Sequence, residues 1–345
     1  MNKVVSRERS SRGPGRRSRA WIAATCAAAL GALVLSACGG GSGDKSSTIN
    51  FRLDYSPWGG EAPLFMAQEL GYYEDAGLDV KLQPGKGSGA TTQSVFAGHD
   101  DMGHAFLQTA IMSIDKGAKG RVVGTMSNAS GNGFFVDESV NSLEDLYGKT
   151  IGVAPSTGSE WVLPALFGLN DLDLDKVKIE RTEVGTLNAI YGQNKVDGIL
   201  QEVAYGNPMV QRVRPSNVLR YKDIGFPLVH YGILVNQKML DERPEDVRKF
   251  LEATAKGYEA AVEDPEAAAK AVTKHADQLE YEDILDQWEE SIKIRYTEST
   301  EGLPALCSND ETWGESLALL SQYAGLKSDP KDIEKFYTQE YLDCE

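Results

Sequence analysis

The side chains best suited to hold a small molecule lie at the ends of predicted strands. Tyr55, Trp58 and Gly59 end the first strand and begin its loop. Flat aromatic rings can stack on a flat ligand, and the indole of Trp58 also donates one hydrogen bond. Ordinary packing of the loop explains these rings equally well, because aromatic side chains are common in cores. The polar candidates at later strand ends are His104, Gln108, Asn128, Glu202, Tyr205 and His230.

Two turns rich in glycine and serine precede predicted helices. They are Gly87-Ser88-Gly89-Ala90-Thr91 and Ser156-Thr157-Gly158-Ser159. Free backbone N–H groups and the helix dipole favour an anionic or oxygen-rich ligand group at such places. A simple capped helix is the alternative for each turn. Lys86 is the one clear cation in these loops, which disfavours a ligand with two fixed negative charges.

Catalytic and metal-binding patterns are weak in this sequence. His99, Asp100, Asp101 and His104 have side chains that bind zinc, but alternation along a strand sends neighbours to opposite faces. No Ser–His–Asp constellation at a sharp elbow and no HExxH motif can be placed. We therefore expect a protein that is not an enzyme and has no metal and no cofactor.

The first 37 residues have the order of a secretory signal. Basic residues from Lys3 to Arg19 precede an apolar run over 20–35, which is too short for a membrane-spanning helix of about 20 residues. Leu35-Ser36-Ala37-Cys38 resembles the lipobox of bacterial lipoproteins, which implies cleavage before Cys38 and a lipid on its thiol. Residues 38–48 then form a flexible tether, and the protein sits on the extracytoplasmic face of the bacterial cell membrane. An ordinary signal peptide cut at another site is the alternative.

Charge and cysteine content narrow the function further. The chain has a net charge of −16, and residues 1–37 carry seven basic and one acidic side chain, so the remainder is at −22. Such an acidic protein is a poor partner for nucleic acid. In the folded part only Cys307 and Cys344 remain, and an even pair in an exported protein predicts a disulfide. Two free thiols are the alternative.

Strand and helix patterns alternate along the chain, which predicts an α/β protein with mostly parallel sheets. The 308 residues after the signal suffice for two lobes. We expect lobe 1 to comprise 49–127 and 230–345, with the C-terminal helices, and lobe 2 to comprise 128–229. Crossings near Asn128–Gly133 and Gly225–His230 would act as hinges, and a ligand cleft would close between the lobes.

Three long segments resemble one family of solute-binding proteins, those for sulfonates, taurine, nitrate and thiamine-pyrimidine precursors. The segments are LDYSPWGGEAPLFMAQELGYYEDAGLDVKLQPGKGSGATTQSVFAGHDDMGHA, LEDLYGKTIGV followed by PSTGSE, and LVNQKMLDERPEDVRKFLEATAKGYEAAVEDPEAAA. The resemblance implies the periplasmic-binding-protein fold, a small-molecule ligand and the membrane permease of an ABC importer as partner. We expect a monomer.

The ligand is less well determined than the fold. In the pyrimidine-binding branch of the family, a carboxylate near the position of Glu202 contacts ring amino groups, although a solvated glutamate is an equal interpretation here. A thiamine-pyrimidine precursor or similar heteroaromatic is our first choice, and a sulfonate or aromatic carboxylate is the second. An enzyme on the same fold, similar to those of the menaquinone pathway, and a ligand-sensing partner of a membrane receptor are the remaining alternatives.

Overall fold

Strands within the described ranges form two sheets, each flanked by helices. The computed structural model describes residues 46–154, 159–276 and 278–344. Sheet A consists of β1 (Ser47–Arg52), β2 (Leu78–Gln83), β3 (Met102–Phe106), β4 (Gly120–Thr125) and β10 (Tyr231–Asn236), in the order β2-β1-β3-β10-β4. Sheet B consists of β5 (Asn132–Val136), β6 (Thr150–Val153), β7 (Lys178–Arg181), β8 (Gly198–Glu202) and β9 (Asn217–Arg220), in the order β7-β6-β8-β5-β9. The α/β class and the periplasmic-binding-protein type of fold are confirmed.

Both sheets are mixed rather than mostly parallel, so that part of the prediction was wrong. In sheet A, β1 pairs in parallel with β2 and β3, but β10 is antiparallel to β3 and β4. In sheet B, β6 is parallel to β7 and β8, but β5 is antiparallel to β8 and β9. The antiparallel strands are the first strand after each crossing between the sheets, because the chain enters the new sheet from the opposite end.

The connections between strands are mostly helical. The helices that follow strands are α1 (Ala62–Glu69), α2 (Tyr72–Asp75), α3 (Ser88–Phe96), α4 (Leu107–Asp115), α5 (Ser159–Leu169), α6 (Val184–Gly192) and α7 (Val203–Val213). The C-terminal helices are α8 (Gln237–Glu242), α9 (Pro244–Glu263), α10 (Pro265–Thr273), α11 (Tyr281–Ile292) and α12 (Asp310–Leu319). Proline opens α9 and α10, where its missing N–H costs no hydrogen bond. Among the residues that the structure describes, no helix is both long and apolar enough to cross a membrane.

The chain crosses between the sheets in two adjacent segments. It leaves sheet A after Thr125 and enters sheet B at Asn132, and it returns between Ile224 and Tyr231. The segments are hydrogen-bonded to each other, since the N–H of His230 donates to the carbonyl of Ser127 at 3.0 Å. The backbone N–H of Met126 likewise donates to the carbonyl of Tyr231 at 2.9 Å. That these segments act as hinges between lobes stays a prediction.

Buried clusters lie within and between the two halves. On sheet A, Phe51 of β1 stacks on Phe250 of α9 with ring centroids 5.2 Å apart. A second cluster contains Val122 of sheet A, Phe134 of sheet B and Trp313 of α12. The C-terminal helices therefore contact both halves, and α11 packs on α7 of the sheet B half.

The C-terminal segment runs along the edge of sheet A. Val122 of β4 donates its N–H to the carbonyl of Phe336 and accepts from Thr338, at 2.9 and 3.0 Å. Cys307 and Cys344 form a disulfide with Cα atoms 5.8 Å apart. The bond holds the last described residues against the body of the protein. The segment around Tyr337 covers the edge strand β4, which would otherwise expose unpaired backbone groups.

Candidate functional site

Asp54 follows β1 and is held by the first turn of α3. The Ser88 hydroxyl donates a hydrogen bond to Asp54 and accepts one, at 2.9 Å, from the N–H of Phe106. The Tyr231 hydroxyl donates a further hydrogen bond to the same carboxyl group. Burial raises the pKa of Asp54 to about 6, although these hydrogen bonds act in the opposite direction. The group is therefore mostly ionised at pH 7.

Glu61 and His104 form a buried pair beside Asp54. Oε1 of Glu61 lies 3.4 Å from Nδ1 of His104 and accepts a 3.2 Å hydrogen bond from the N–H of Asp54. Burial, and next the charge of Asp54, raises the pKa of Glu61 well above its usual range. Burial lowers the pKa of His104 to about 3, and nearby His230 adds to this shift. His104 is therefore uncharged at pH 7, so the pair is not ionic.

Sheet B contributes Glu202, the last residue of β8. Its Oε2 lies 2.5 Å from Nε2 of His230, the residue directly before β10, so the pair joins the two halves. Oε1 of Glu202 and Nδ1 of His230 have no hydrogen-bond partner among the described residues, and the same holds for Oε2 of Glu61 and Nε2 of His104. Buried polar atoms without partners are unusual in folded proteins, and they indicate a place where another molecule supplies the partner.

Aromatic rings pack around these polar groups. Trp58 lies edge-on to Tyr205 and tilted against Tyr231, with centroids 5.8 Å apart in both cases. The Tyr231 ring also stacks on His104 at 4.6 Å. Burial, and next the neighbouring Asp54, raises the pKa of Tyr231 well above its usual range, so its hydroxyl keeps its proton. The rings exclude water and strengthen every electrostatic interaction in the site.

A small cavity opens between the rings and Glu202. Its volume is about 10 Å³, about that of one water-sized probe. Its walls include Trp58, Glu202, Tyr231, Tyr258, Trp288 and Met126. A drug-sized ligand needs a pocket of roughly 300 Å³ or more, so binding requires the surrounding side chains or the two halves to move apart.

Not every predicted site residue reaches this cavity. Tyr55 is 50% exposed. Gly59 supports α11, because its N–H donates to Gln287 at 2.9 Å and a Cβ there would lie 2.4 Å from the carbonyl of Ile284. The side-chain amide of Asn128 donates to the carbonyls of Arg295 and Cys307, at 3.1 and 3.0 Å, which fastens the first crossing to the C-terminal segment. Ser156, Thr157, Gly158 and Cys38 lie outside the described residues.

Three of the residues considered as metal ligands contact different partners. Asp100 pairs with Arg52 at 2.9 Å, Asp101 with Arg243 at 3.4 Å, and His104 with Glu61. Within the described ranges no group of three or more histidine, cysteine, aspartate or glutamate side chains is arranged to hold a metal ion.

Sequence reasoning missed several residues of this site. Asp54 and Glu61 flank the aromatic loop, and Glu61 directly precedes the buried apolar segment Ala62–Ala67. An acidic residue directly before an apolar run is a signal that was available from the sequence alone. Tyr258 and Trp288 carry no such signal, because they have the spacing of ordinary core positions on α9 and α11 and reach the cavity only through tertiary packing.

This fold is of the periplasmic-binding-protein type. The aliphatic sulphonate binding protein SsuA of Escherichia coli has a similar structure, with a TM-score of 0.66 and 13% identity over 86% of this chain and 99% of that chain. At such low identity the similarity concerns the fold alone.

The chain belongs to the NMT1/THI5-like family, whose model matches residues 59–268. The riboflavin-binding protein RibY of Chloroflexus aurantiacus is 25% identical over 85% of this chain and 86% of its own length. A yeast 4-amino-5-hydroxymethyl-2-methylpyrimidine phosphate synthase, THI11 of Saccharomyces cerevisiae, is 25% identical over 86% of this chain and 88% of its own length. The formylaminopyrimidine-binding protein of Halalkalibacterium halodurans is 23% identical over 81% and 86%. The predicted family resemblance is confirmed.

Proposed function

We propose that this protein is the solute-binding component of an ABC importer and binds one small planar heteroaromatic molecule between its two halves. The observation that carries the proposal is a set of buried atoms on Glu61, His104, Glu202 and His230 that have no hydrogen-bond partner among the described residues. Aromatic rings lie beside them, since Tyr231 stacks on His104 and lines the cavity together with Glu202. A ring bearing amino groups and ring nitrogens offers donors and acceptors for such atoms and a flat face for Trp58.

The names of the relatives support this ligand class. Two of them are called binding proteins for riboflavin and for a formylaminopyrimidine, both nitrogen-containing heteroaromatic molecules. Their similarity spans most of each chain. We therefore place a nitrogen heterocycle, such as a thiamine-pyrimidine precursor, ahead of other solutes.

A sulfonate or aromatic carboxylate is the second candidate and fits the site less well. Among the described residues that line the cavity there is no lysine or arginine. The start of α3, which was predicted to hold an anionic group, already faces the carboxyl group of Asp54 through the Ser88 hydroxyl. A second negative charge there would be repelled.

An enzyme on this fold is the rival from another class, because some relatives are named synthases. The Glu202–His230 pair has groups that can move a proton, as general acids and bases do. Incubating the protein with its ligand and recovering that ligand by mass spectrometry separates the two functions. We expect the ligand to return unchanged, and a changed mass would end the transport proposal.

We also propose that the protein is exported, carries a lipid on Cys38, faces the outside of the cell membrane and works as a monomer with a membrane permease. The N-terminal pattern described above supports this location. Changing Cys38 to Ser should move the protein from the membrane fraction to the soluble fraction, and an unchanged distribution would contradict the lipid anchor.

A thermal-shift screen tests the ligand class. Aminopyrimidines and flavins should raise the melting temperature, whereas alkyl and aromatic sulfonates should leave it unchanged, because a ligand at 100 times its Kd adds about 2.7 kcal/mol of stability. Trp58→Ala should weaken a binding heteroaromatic at least tenfold, and Trp58→Phe should preserve most of the affinity as the matched control. Stabilisation by sulfonates alone would overturn the proposal.

A further inference from the structure

Two pairs of aromatic rings line the cavity next to Glu202. Trp58 and Tyr231 lie 5.8 Å apart, and Tyr258 and Trp288 meet edge-to-face at 5.5 Å. The polar atoms of Tyr258 and Trp288 bond elsewhere, since the Tyr258 hydroxyl donates to the carbonyl of Met126 and the Trp288 indole to that of Ala261. What these residues present to the cavity is therefore chiefly the surface of their rings, which attracts positive charge on its faces.

The charged groups near the cavity are mainly acidic. Glu202 lines it with a buried oxygen that no described residue partners. Asp54 lies directly behind Tyr231, through the hydrogen bond to its hydroxyl. His104 is neutral because burial lowers its pKa to about 3. His230, whose Nε2 lies 2.5 Å from Oε2 of Glu202, can balance at most one of these two carboxyl groups. The site therefore carries a surplus of negative charge.

An arginine that packs on one of these rings is already paired with a carboxylate. The guanidinium of Arg295 lies 4.7 Å from the centroid of the Tyr258 ring, and it donates to the carboxylate of Glu259, at 3.1 Å for one of the two bonds. It packs against the Tyr258 ring in the way that the ring would receive a cationic ligand. Because the guanidinium of Arg295 is paired with Glu259, its positive charge does not balance the carboxylate of Glu202.

From this arrangement we infer that the solute bound beside Glu202 is an organic cation, either a protonated nitrogen heterocycle or a ring with a fixed positive charge. The inference rests on the proposed function, because it concerns the same cavity. The positive charge lies against the aromatic rings and is balanced by Glu202, whose free oxygen accepts a hydrogen bond from the solute where the solute has a donor. A neutral ligand in the opened cavity would supply no positive charge to balance the carboxylate of Glu202.

Three probes of nearly equal shape test the sign of the charge. 1-Methylnicotinamide is a cation at every pH, 3-methylbenzamide is its neutral counterpart, and 3-methylbenzoate is the anion. Titration calorimetry with the full-length protein should show the cation binding at least about tenfold more tightly than the neutral probe, the size expected for a desolvated cation–π contact. The anion should bind most weakly.

A variant then identifies the group that selects the charge. Glu202→Gln keeps the shape of the side chain and should reduce the preference for the cation over the neutral probe by about tenfold or more. Glu183→Gln is the matched control, because Glu183 caps α6 as Glu202 caps α7 but is exposed. The control should leave the preference unchanged.

Equal binding of the cation and the neutral probe, or tighter binding of the anion, would overturn the inference. The absence of binding by all three probes would overturn it as well. In each case the proposed heteroaromatic class is judged separately by the aminopyrimidine and flavin screen, so the two failures are distinguishable.

Discussion

At the scale of single residues, the close approach of the Gly131 backbone to Glu202 and His230 sets the geometry of that pair. A Cβ at Gly131 would lie 2.5 Å from Oε1 of Glu202 and 2.7 Å from Nε2 of His230. Side-chain contacts this short do not occur, so one of the two groups must move. The pair joins the two sheets, and its geometry depends on the absence of a side chain at position 131.

Gly131→Ala is therefore expected to weaken ligand binding at least tenfold, because it displaces the buried pair from the cavity. The folded state should survive, since the carboxyl end of Glu202 can give way. Calorimetric titration with the heteroaromatic ligand measures the effect. Gly185→Ala is the control, because no atom lies within 4 Å of the added Cβ. Equal affinities in both variants would contradict the role of the pair.

The pKa of Asp54 predicts a dependence of stability on pH. In the unfolded chain the group titrates near 3.8, and in the folded chain near 6. Between these values the folded state holds more protons, so the free energy of unfolding falls as pH rises, by about 3 kcal/mol in total. Urea titrations at pH 4, 5, 6 and 7 should show this fall in the wild type and less of it in Asp54→Asn. If the unfolding free energy of both proteins fell equally with pH, Asp54 would not be the cause of the pH dependence.

At the scale of secondary-structure elements, polar contacts fasten α11 to the sheet B half. Arg212 of α7 pairs with Asp283, and Asn207 donates to Asp286 at 3.0 Å. Arg220 of β9 donates to Glu290 at 2.6 Å, and Lys293 adds a second bond at 2.5 Å. Because α11 also packs on the loop that carries Trp58, these contacts connect the cavity wall to the opposite half.

Glu290 is the centre of this contact, and replacing it tests the connection. Burial acts to raise the pKa of Glu290, but the bonds from Lys293 and Arg220 outweigh it and lower the pKa overall. Glu290→Gln should cost about 1–3 kcal/mol of unfolding free energy, because two cations lose their charged partner while remaining partly solvated. Urea denaturation measures this cost. Replacing exposed Glu289 on the same helix by Gln should change the free energy of unfolding by less than about 0.5 kcal/mol. Equal costs for the two variants would contradict the stabilising role of Glu290.

At the scale of the whole molecule, the disulfide closes the C-terminal segment over sheet A. It spans 37 positions, and the carbonyl of Cys307 also accepts the amide of Asn128 in the first crossing. The bond therefore ties together the edge of sheet A and a segment through which the chain passes between the sheets. Loss of the bond should loosen the tail before it affects either sheet.

Cys344→Ser should lower the free energy of unfolding by up to about 4 kcal/mol, the loop-closure entropy of a link of this length. The wild type under a reducing agent should show the same loss. Limited proteolysis should cut the variant first within residues 336–344, the segment that pairs with β4 at Tyr337 and ends at the disulfide. A variant as stable as the oxidised wild type would contradict the proposed role of the bond.

The sequence alone was sufficient for the α/β class, the family resemblance and most elements. The strand Tyr231–Asn236 and the proline that opens α9 agree with local sequence patterns, since periodicity and helix-start chemistry are local properties. The strand Asn132–Val136 was missed, because its glycine and its place beside a crossing made it resemble a linker.

Only the tertiary structure decided which residues meet in the cavity. Trp58, Glu202 and His230 were visible as candidates at strand ends, but Tyr258 and Trp288 resemble core residues until α9 and α11 are packed together. The neutral state of His104 and the raised pKa of Glu61 likewise depend on burial, which is a property of the assembled fold. Local patterns record what a residue prefers, whereas distances across the chain, and the electrostatics that depend on them, arise only when distant segments are brought into contact.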